Sequence, residues 1–203
     1  MKKHTSGLKA LLPALMLSVL LSSCVSTGND ASNVSFQPYH PQKASDTDPQ
    51  LQVARDAYNR GDYVKTMDTL IELADGGNAN AMFSLGSMYE HGDGIHPDLQ
   101  QAVNYYQKAI QLGNQDAQFN LALMYLNGKG VAKDEAKAFD MLKQLADQGN
   151  AEAMYKVSQM ILGGIGTQTK LQPALDYLKR SYQKGYAPAA SALGYLYLIG
   201  NSV

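Results

Sequence analysis

The chain has 203 residues, of which 45% are hydrophobic and 17% are charged, and its formal net charge at pH 7 is −1. The first 23 residues hold three lysines and no acidic residue, so the net charge of residues 24–203 is more negative than that of the full chain. Nucleic-acid binding needs clustered Lys and Arg to displace phosphate counterions, and a mildly acidic chain without a basic stripe argues against it.

Residues 1–23 have the pattern of a secretory signal. A short basic segment precedes an apolar run from Ala10 to Leu21, which is shorter than the ~20 residues that a membrane-spanning helix needs. The run ends in Leu-Ser-Ser-Cys, and this Cys24 is the chain's only cysteine. This ending resembles the lipobox of bacterial lipoproteins; an ordinary cleaved signal with an incidental cysteine is the alternative.

The resemblance to lipoproteins implies cleavage before Cys24 and acylation of its thiol and amine, with palmitate as a typical acyl chain. Two or three acyl chains hold a protein stably at a membrane, whereas one does not. Val25 follows the cysteine in place of an aspartate, which in such lipoproteins implies sorting to the outer membrane, here facing the periplasm. The rest of residues 24–49 is rich in Ser, Thr, Asn, Asp and Pro, a composition that predicts a disordered tether.

One pattern returns at a spacing of 36 residues through most of the remaining chain. Its apolar positions follow one face of an α-helix, and a pair of glycines then ends that helix. A second amphipathic helix follows each glycine pair, after an aspartate N-cap in the first two units. Self-similarity at this period indicates helix pairs that bury their apolar faces by stacking. The repeated positions are Ala81, Leu85, Tyr89, Gly92 and Gly94; Ala117, Leu121, Tyr125, Gly128 and Gly130; Ala153, Val157, Ile161, Gly164 and Gly166; and Ala189, Leu193, Tyr197 and Gly200.

These units resemble the Sel-1-like repeat, a branch of the tetratricopeptide superfamily. The matching residues run from Ala81 to Gly94 and from Ala102 to Ala109. The resemblance implies an all-α fold, a right-handed α-solenoid of stacked antiparallel helix pairs. The expected segments are a tetratricopeptide-like helix pair at 50–78, Sel-1-like repeats at 79–114, 115–150 and 151–186, and the first helix of a fourth repeat at 187–203.

The richest polar cluster is the loop from Glu90 to Asp98, which holds His91 and His96. Its spacing matches neither a zinc pair nor a calcium loop, which favours a structural turn and a helix cap. We therefore expect no catalysis, no metal and no cofactor; an envelope hydrolase or metal-binding protein that uses His91 and His96 is the alternative.

A column of residues on the first helices lies off the predicted core face. In tetratricopeptide solenoids such positions line a concave groove that binds peptides or proteins, so the resemblance implies a partner-binding groove. For the aromatic members, packing between adjacent units is an equal alternative. The candidate groove residues are Phe83, Ser87, Glu90, Phe119, Leu123, Leu126, Tyr155, Gln159 and Leu162.

Together these features predict a lipid-anchored envelope scaffold that binds an unknown protein or peptide. By family resemblance it would assemble secretion or polysaccharide-export machinery, or interact with a host. No charged residue occurs after Lys184, so the last helix has an uncovered apolar surface. The sequence is therefore either a fragment of a longer array or one whose C-terminal helix docks on another molecule, for example in self-association.

We predict that Cys24→Ala leaves the protein unprocessed or released from the membrane, because the substitution removes the acylated thiol. Fractionation of membranes in high salt measures this. Equal membrane retention of the variant and the natural protein would contradict the lipoprotein interpretation.

Overall fold

The structure is a computed structural model that describes residues 48–200, with side chains described as far as Leu198. Every regular element in this range is an α-helix, which confirms the predicted all-α fold of stacked helix pairs. The signal segment, Cys24 and nearly all of the tether lie outside the described residues. The helices are α1 (Pro49–Asn59), α2 (Tyr63–Asp75), α3 (Ala79–His91), α4 (Leu99–Gln111), α5 (Gln115–Asn127), α6 (Glu135–Asp147), α7 (Ala151–Gly163), α8 (Leu171–Gln183) and α9 (Ala187–Gly200).

The described chain forms two compact units, residues 48–134 and residues 135–200. In the first unit each of the helices α1 to α4 packs on the next, and α3 also contacts α5. In the second unit α6 packs on α7, α7 on α8 and α8 on α9. Short turns reverse the chain between consecutive helices, so each unit is built of antiparallel helix pairs.

The core of the first unit joins the α1–α2 pair to the first repeat. Leu51 and Leu70 from that pair are buried in one cluster with Ala81, Leu85 and Met88 of α3. Burying a leucine in such a cluster contributes about 1.5–3 kcal/mol relative to leaving it exposed. The second unit buries its own apolar residues, including Leu142, Leu145, Val157 and Leu178.

Asparagine caps the first helix of each complete repeat. The side-chain oxygen of Asn114 accepts a hydrogen bond from the Ala117 amide at 2.7 Å, and its Nδ2 donates to Asn80 Oδ1 at 2.8 Å. The same side chain therefore gives a hydrogen-bond acceptor to an amide that has none within the helix, and it links α5 to the preceding repeat through its own amide group. Asn78 and Asn150 cap α3 and α7 in the same way.

The glycine pair in the first repeat has two distinct roles. Gly92 takes a left-handed conformation with φ of 79° and ends α3. Gly94 also has positive φ, and a Cβ at this position would collide with the Cβ and ring of Tyr63, the first residue of α2. The second glycine thus lets the turn lie directly against the preceding helix pair. Equivalent close approaches occur between Gly130 and Leu99 of α4 and between Gly166 and Glu135 of α6.

Candidate functional site

The candidate groove residues of the first two repeats lie on α3 and α5, which contact each other within the first unit. All of these side chains are partly exposed, and together they make up a strip of accessible residues on two helices that contact each other. We call this strip the binding row. Its members are Phe83, Ser87, Glu90, Phe119, Leu123 and Leu126.

Two of the three aromatic members of the candidate groove, Phe83 and Tyr155, pack against aromatic rings of neighbouring segments. The ring of Phe83 lies 5.9 Å from the ring of Tyr106 in α4, centroid to centroid. Tyr155 in α7 packs 5.4 Å from Tyr186, just before α9. Aromatic pairs at such distances add about 0.5–1.5 kcal/mol beyond the area that they bury. These rings therefore stabilise the repeats, whatever else they contact.

The candidate residues of the third repeat do not form an accessible surface. Tyr155 is 7% exposed, which favours the packed alternative for this aromatic residue, and Leu162 is 5% exposed, so the expectation that Leu162 lines an open groove was wrong. Only Gln159 of this set is partly exposed. The position on the helix was predicted from spacing, but spacing does not show how completely neighbouring residues cover a side chain.

A hydrogen-bonded polar cluster connects three helices at one end of the binding row. The Tyr106 hydroxyl donates to Glu90 Oε2 at 2.8 Å and accepts from Asn120 Nδ2 at 3.2 Å. The Lys129 ammonium donates to Glu90 Oε1 at 3.0 Å. We call Glu90, Tyr106, Asn120 and Lys129 the polar cluster; it joins α3 and α4 of the first repeat to α5 and the following turn.

Burial controls the chemistry of this cluster. Tyr106 is fully buried, and burial raises the pKa of its hydroxyl, with a further increase from the Glu90 carboxylate. The tyrosine therefore stays protonated and remains a donor to Glu90. The Glu90 side chain is 12% exposed, and a carboxylate so enclosed is stable because it accepts hydrogen bonds from both a hydroxyl and an ammonium.

Sequence reasoning placed Glu90 in the groove but missed its partners. The partners lie 16 and 39 residues away in the chain, and the second is in a turn. One feature of the sequence indicated such partners. Glu90 is acidic, whereas the equivalent positions of the next two repeats are Leu126 and Leu162. A charged residue where the other repeats have leucine predicts a local partner.

The loop from Glu90 to Asp98 serves structural roles. Asp98 caps α4, because its Oδ1 accepts from the amides of Gln100 and Gln101 at 2.9 and 3.0 Å. His91 and His96 are exposed, and each ring bonds a nearby main-chain carbonyl oxygen. Within residues 48–200, no group of three or more His, Cys, Asp or Glu side chains is arranged to hold a metal ion.

No helix in the described part of the chain has the length and apolar character needed to cross a membrane.

We predict that Tyr106→Phe lowers the free energy of unfolding by about 1–3 kcal/mol, because it leaves the enclosed Glu90 carboxylate without one donor. Tyr105→Phe is the matched control, since Tyr105 is in the same helix but outside the polar cluster, and it should change stability by less than about 0.5 kcal/mol. Urea denaturation measures both. Equal effects of the two substitutions would show that the cluster does not stabilise the repeat junction.

Two solved structures share this architecture. A protective antigen present in uropathogenic Escherichia coli strains, which displays an SLR fold, superposes with a TM-score of 0.70 at 26% identity. That comparison covers 91% of this chain and 36% of the other. A Sel1 repeat protein from Oxalobacter formigenes gives a TM-score of 0.67 at 30% identity, covering 75% of this chain and 63% of the other.

Two curated proteins of Arabidopsis thaliana are similar over a shorter stretch. The ERAD-associated E3 ubiquitin-protein ligase components HRD3B and HRD3A are 42% and 40% identical to this chain over 57 residues. These matches cover 27% of this chain but only 9% and 8% of the two proteins. The chain therefore spans less than a tenth of the length of these relatives.

The profile of the Sel1 repeat family matches four successive segments, residues 79–114, 115–150, 151–186 and 187–203. These matches cover more than half of the chain and include the helices that carry the binding row and the polar cluster. The Sel-1-like resemblance seen in the sequence is thus confirmed. The chain belongs to the Sel1 repeat family, a branch of the tetratricopeptide-like superfamily.

Proposed function

We propose that this protein is a lipid-anchored scaffold of the bacterial cell envelope that binds a partner protein at the binding row and has no catalytic activity of its own. Sel1 repeat proteins act as protein-interaction scaffolds. The observation that carries the proposal is the accessible strip on α3 and α5, where aromatic and leucine side chains are partly exposed on two helices that contact each other.

The chemistry of the binding row indicates the kind of segment that it binds. Phe119, Leu123 and Leu126 on α5 provide apolar area, and partly exposed aromatic and aliphatic side chains are the usual anchors of protein interfaces. At one end, Lys129 is 45% exposed beside the enclosed Glu90. A partner segment with apolar side chains, and with an acidic group that reaches Lys129, would complement this surface.

The polar cluster limits what Glu90 can do in binding. Both carboxylate oxygens already accept hydrogen bonds from protein groups. A ligand that recruited Glu90 would have to displace Tyr106 or Lys129 from it, with the cost of breaking a charge-assisted bond. Glu90 therefore holds the two repeats in position, and we expect the partner to contact the other members of the binding row.

The envelope location is proposed from the amino-terminal sequence. Cys24, at the end of an apolar run, would carry the acyl chains, and residues 25–49 would tether the repeats to the outer membrane on its periplasmic side. A scaffold role is supported by the two HRD3 proteins, each a component of an E3 ubiquitin-protein ligase, and a bacterial setting by the protective antigen of uropathogenic Escherichia coli. We propose that the scaffold assembles an envelope complex, such as secretion or polysaccharide-export machinery, or interacts with a host.

We predict that Leu123→Asp and Leu126→Asp together lower partner capture from envelope extracts by about tenfold or more, because each buries a charge at the interface core. Leu112→Asp is the control, since Leu112 is 52% exposed and lies outside the binding row. Quantitative mass spectrometry of the captured proteins provides the measurement. Circular dichroism checks that all variants keep their helicity.

The same proteins captured in equal amounts by the double variant and by Leu112→Asp would contradict a binding role for the row. If the double variant loses helicity, partner capture is measured with Leu126→Gln, which adds no charge.

A further inference from the structure

Three basic side chains of the second unit lie close together near the ends of α6 and α8. The Lys143 ammonium donates to Asp147 Oδ2 at 2.7 Å, and the Tyr177 hydroxyl donates to Asp147 Oδ1 at 2.8 Å. The Arg180 guanidinium lies over the Tyr177 ring, 5.4 Å from its centroid. These contacts join α6 to α8 across one repeat junction.

Lys184 extends this group of basic side chains. It directly follows α8, and its Nζ lies 3.3 Å from the place that a Cβ on Gly149 would take, two residues after Asp147. We call Lys143, Arg180 and Lys184 the basic cluster. Three positive charges therefore accompany the single carboxylate of Asp147.

That carboxylate compensates only one of the three charges. The hydrogen bonds from Lys143 and Tyr177 hold the pKa of Asp147 below its usual value, so it is ionised at neutral pH. In the part of the chain that the structure describes, neither Arg180 nor Lys184 has a carboxylate within 4.0 Å. Both of these side chains are exposed, so two positive charges face solvent without an ion-pair partner there.

The first unit has the same arrangement two repeats earlier, without the additional charge. The Lys108 ammonium lies over the Tyr105 ring, 5.3 Å from its centroid, as Arg180 lies over Tyr177. The matched positions are Asp75 and Asp147, Tyr105 and Tyr177, Lys108 and Arg180, Ile71 and Lys143, and Leu112 and Lys184. One cation thus accompanies one carboxylate in the first unit, whereas three accompany one in the second.

This comparison separates structural charge from surplus charge. A cation near the end of a helix stabilises it by opposing the helix dipole, and Lys108 and Arg180 each lie in the last turn of their helix. The first unit stacks its second helices with apolar residues at the positions of Lys143 and Lys184. The two additional lysines are therefore not required for stacking, and their charge is available to a ligand.

We propose that the basic cluster binds an acidic segment of a partner protein, with at least two carboxylate side chains. The Arg180 guanidinium, held over Tyr177, offers a planar pair of donors that suits a carboxylate, and Lys184 adds a second charge. Asp147 shows that donors at this place already hold one carboxylate. The cluster lies outside the binding row, so the inference goes beyond the proposed function and does not depend on it.

Acidic residues on the same helices favour a narrow ligand over a broad anionic surface. Asp140 precedes Lys143 by three residues in α6, and Asp176 precedes Arg180 by four in α8, and both aspartates are exposed. Residues at these spacings share one helix face. A membrane surface that reached the two cations would also approach both aspartates, whereas a peptide segment can contact the cations alone.

The direct test titrates fluorescent octaglutamate into the full-length protein at physiological ionic strength and follows its anisotropy. We expect saturable binding at one site per chain, which weakens as sodium chloride is added because salt screens exposed charges. Octaglutamine, which has the same length and no charged side chain, should not bind. Absence of saturable octaglutamate binding would overturn the proposal.

Charge reversal locates the site. Arg180→Glu with Lys184→Glu should weaken octaglutamate binding by about tenfold or more, because two attracting charges become repelling. Lys65→Glu with Lys108→Glu is the matched control, since it changes the net charge equally at exposed positions of the first unit. The control should weaken binding by less than about twofold, because distant exposed charges are screened.

Circular dichroism checks the helicity of each variant. If the reversed pair loses helicity, binding is measured with Arg180→Gln and Lys184→Gln, which should still lower the affinity. Equal weakening by the cluster pair and the control pair would show an effect of net charge alone and would overturn the proposal.

Vesicles of phosphatidylglycerol, with phosphatidylcholine as the reference, test a membrane surface as the ligand. If Arg180→Glu with Lys184→Glu loses binding to phosphatidylglycerol but keeps its affinity for octaglutamate, the cluster binds lipid headgroups and the proposal is wrong.

Discussion

The stacking of these repeats depends on a close approach between each interhelical turn and the preceding helix pair. The second glycine of the turn lies against the first residue of a second helix: Gly94 against Tyr63 and Gly130 against Leu99 in the first unit. A side chain at either glycine would force the turn away from its neighbour. Because a single helix pair cannot bury its apolar face alone, this contact sets how closely the apolar faces of successive pairs meet.

The candidate site follows from that stacking. The binding row and the polar cluster each combine residues of two repeats, so neither exists within a single helix pair. Glu90 and Tyr106 come from the first repeat, whereas Asn120 and Lys129 come from the second. The cluster therefore couples the spacing of α3 and α5 to the shape of the surface that we propose for binding, and a change in stacking would change both.

The 36-residue period predicted the helices, their glycine turns and the Asp98 cap, because each depends on local residue types. The exposure of Leu162 was predicted wrongly and the position of Tyr155 was left open between groove and core; both are buried, and helical spacing does not show how tightly a neighbouring repeat covers a side chain. The partners of Glu90 were missed because hydrogen bonds across 16 and 39 residues depend on tertiary packing. The lipid site at Cys24 lies outside the described residues and stays a prediction.

The most direct test of the stacking account compares Gly94→Ala with Gly113→Ala by equilibrium denaturation. Both glycines have positive φ, 71° and 83°, so each substitution should cost about 1–2 kcal/mol of backbone strain. Gly94 faces Tyr63, whereas no residue in the described part of the chain lies within 4 Å of a Cβ on Gly113. The account predicts that Gly94→Ala costs about 1–3 kcal/mol more than Gly113→Ala; equal costs would contradict it.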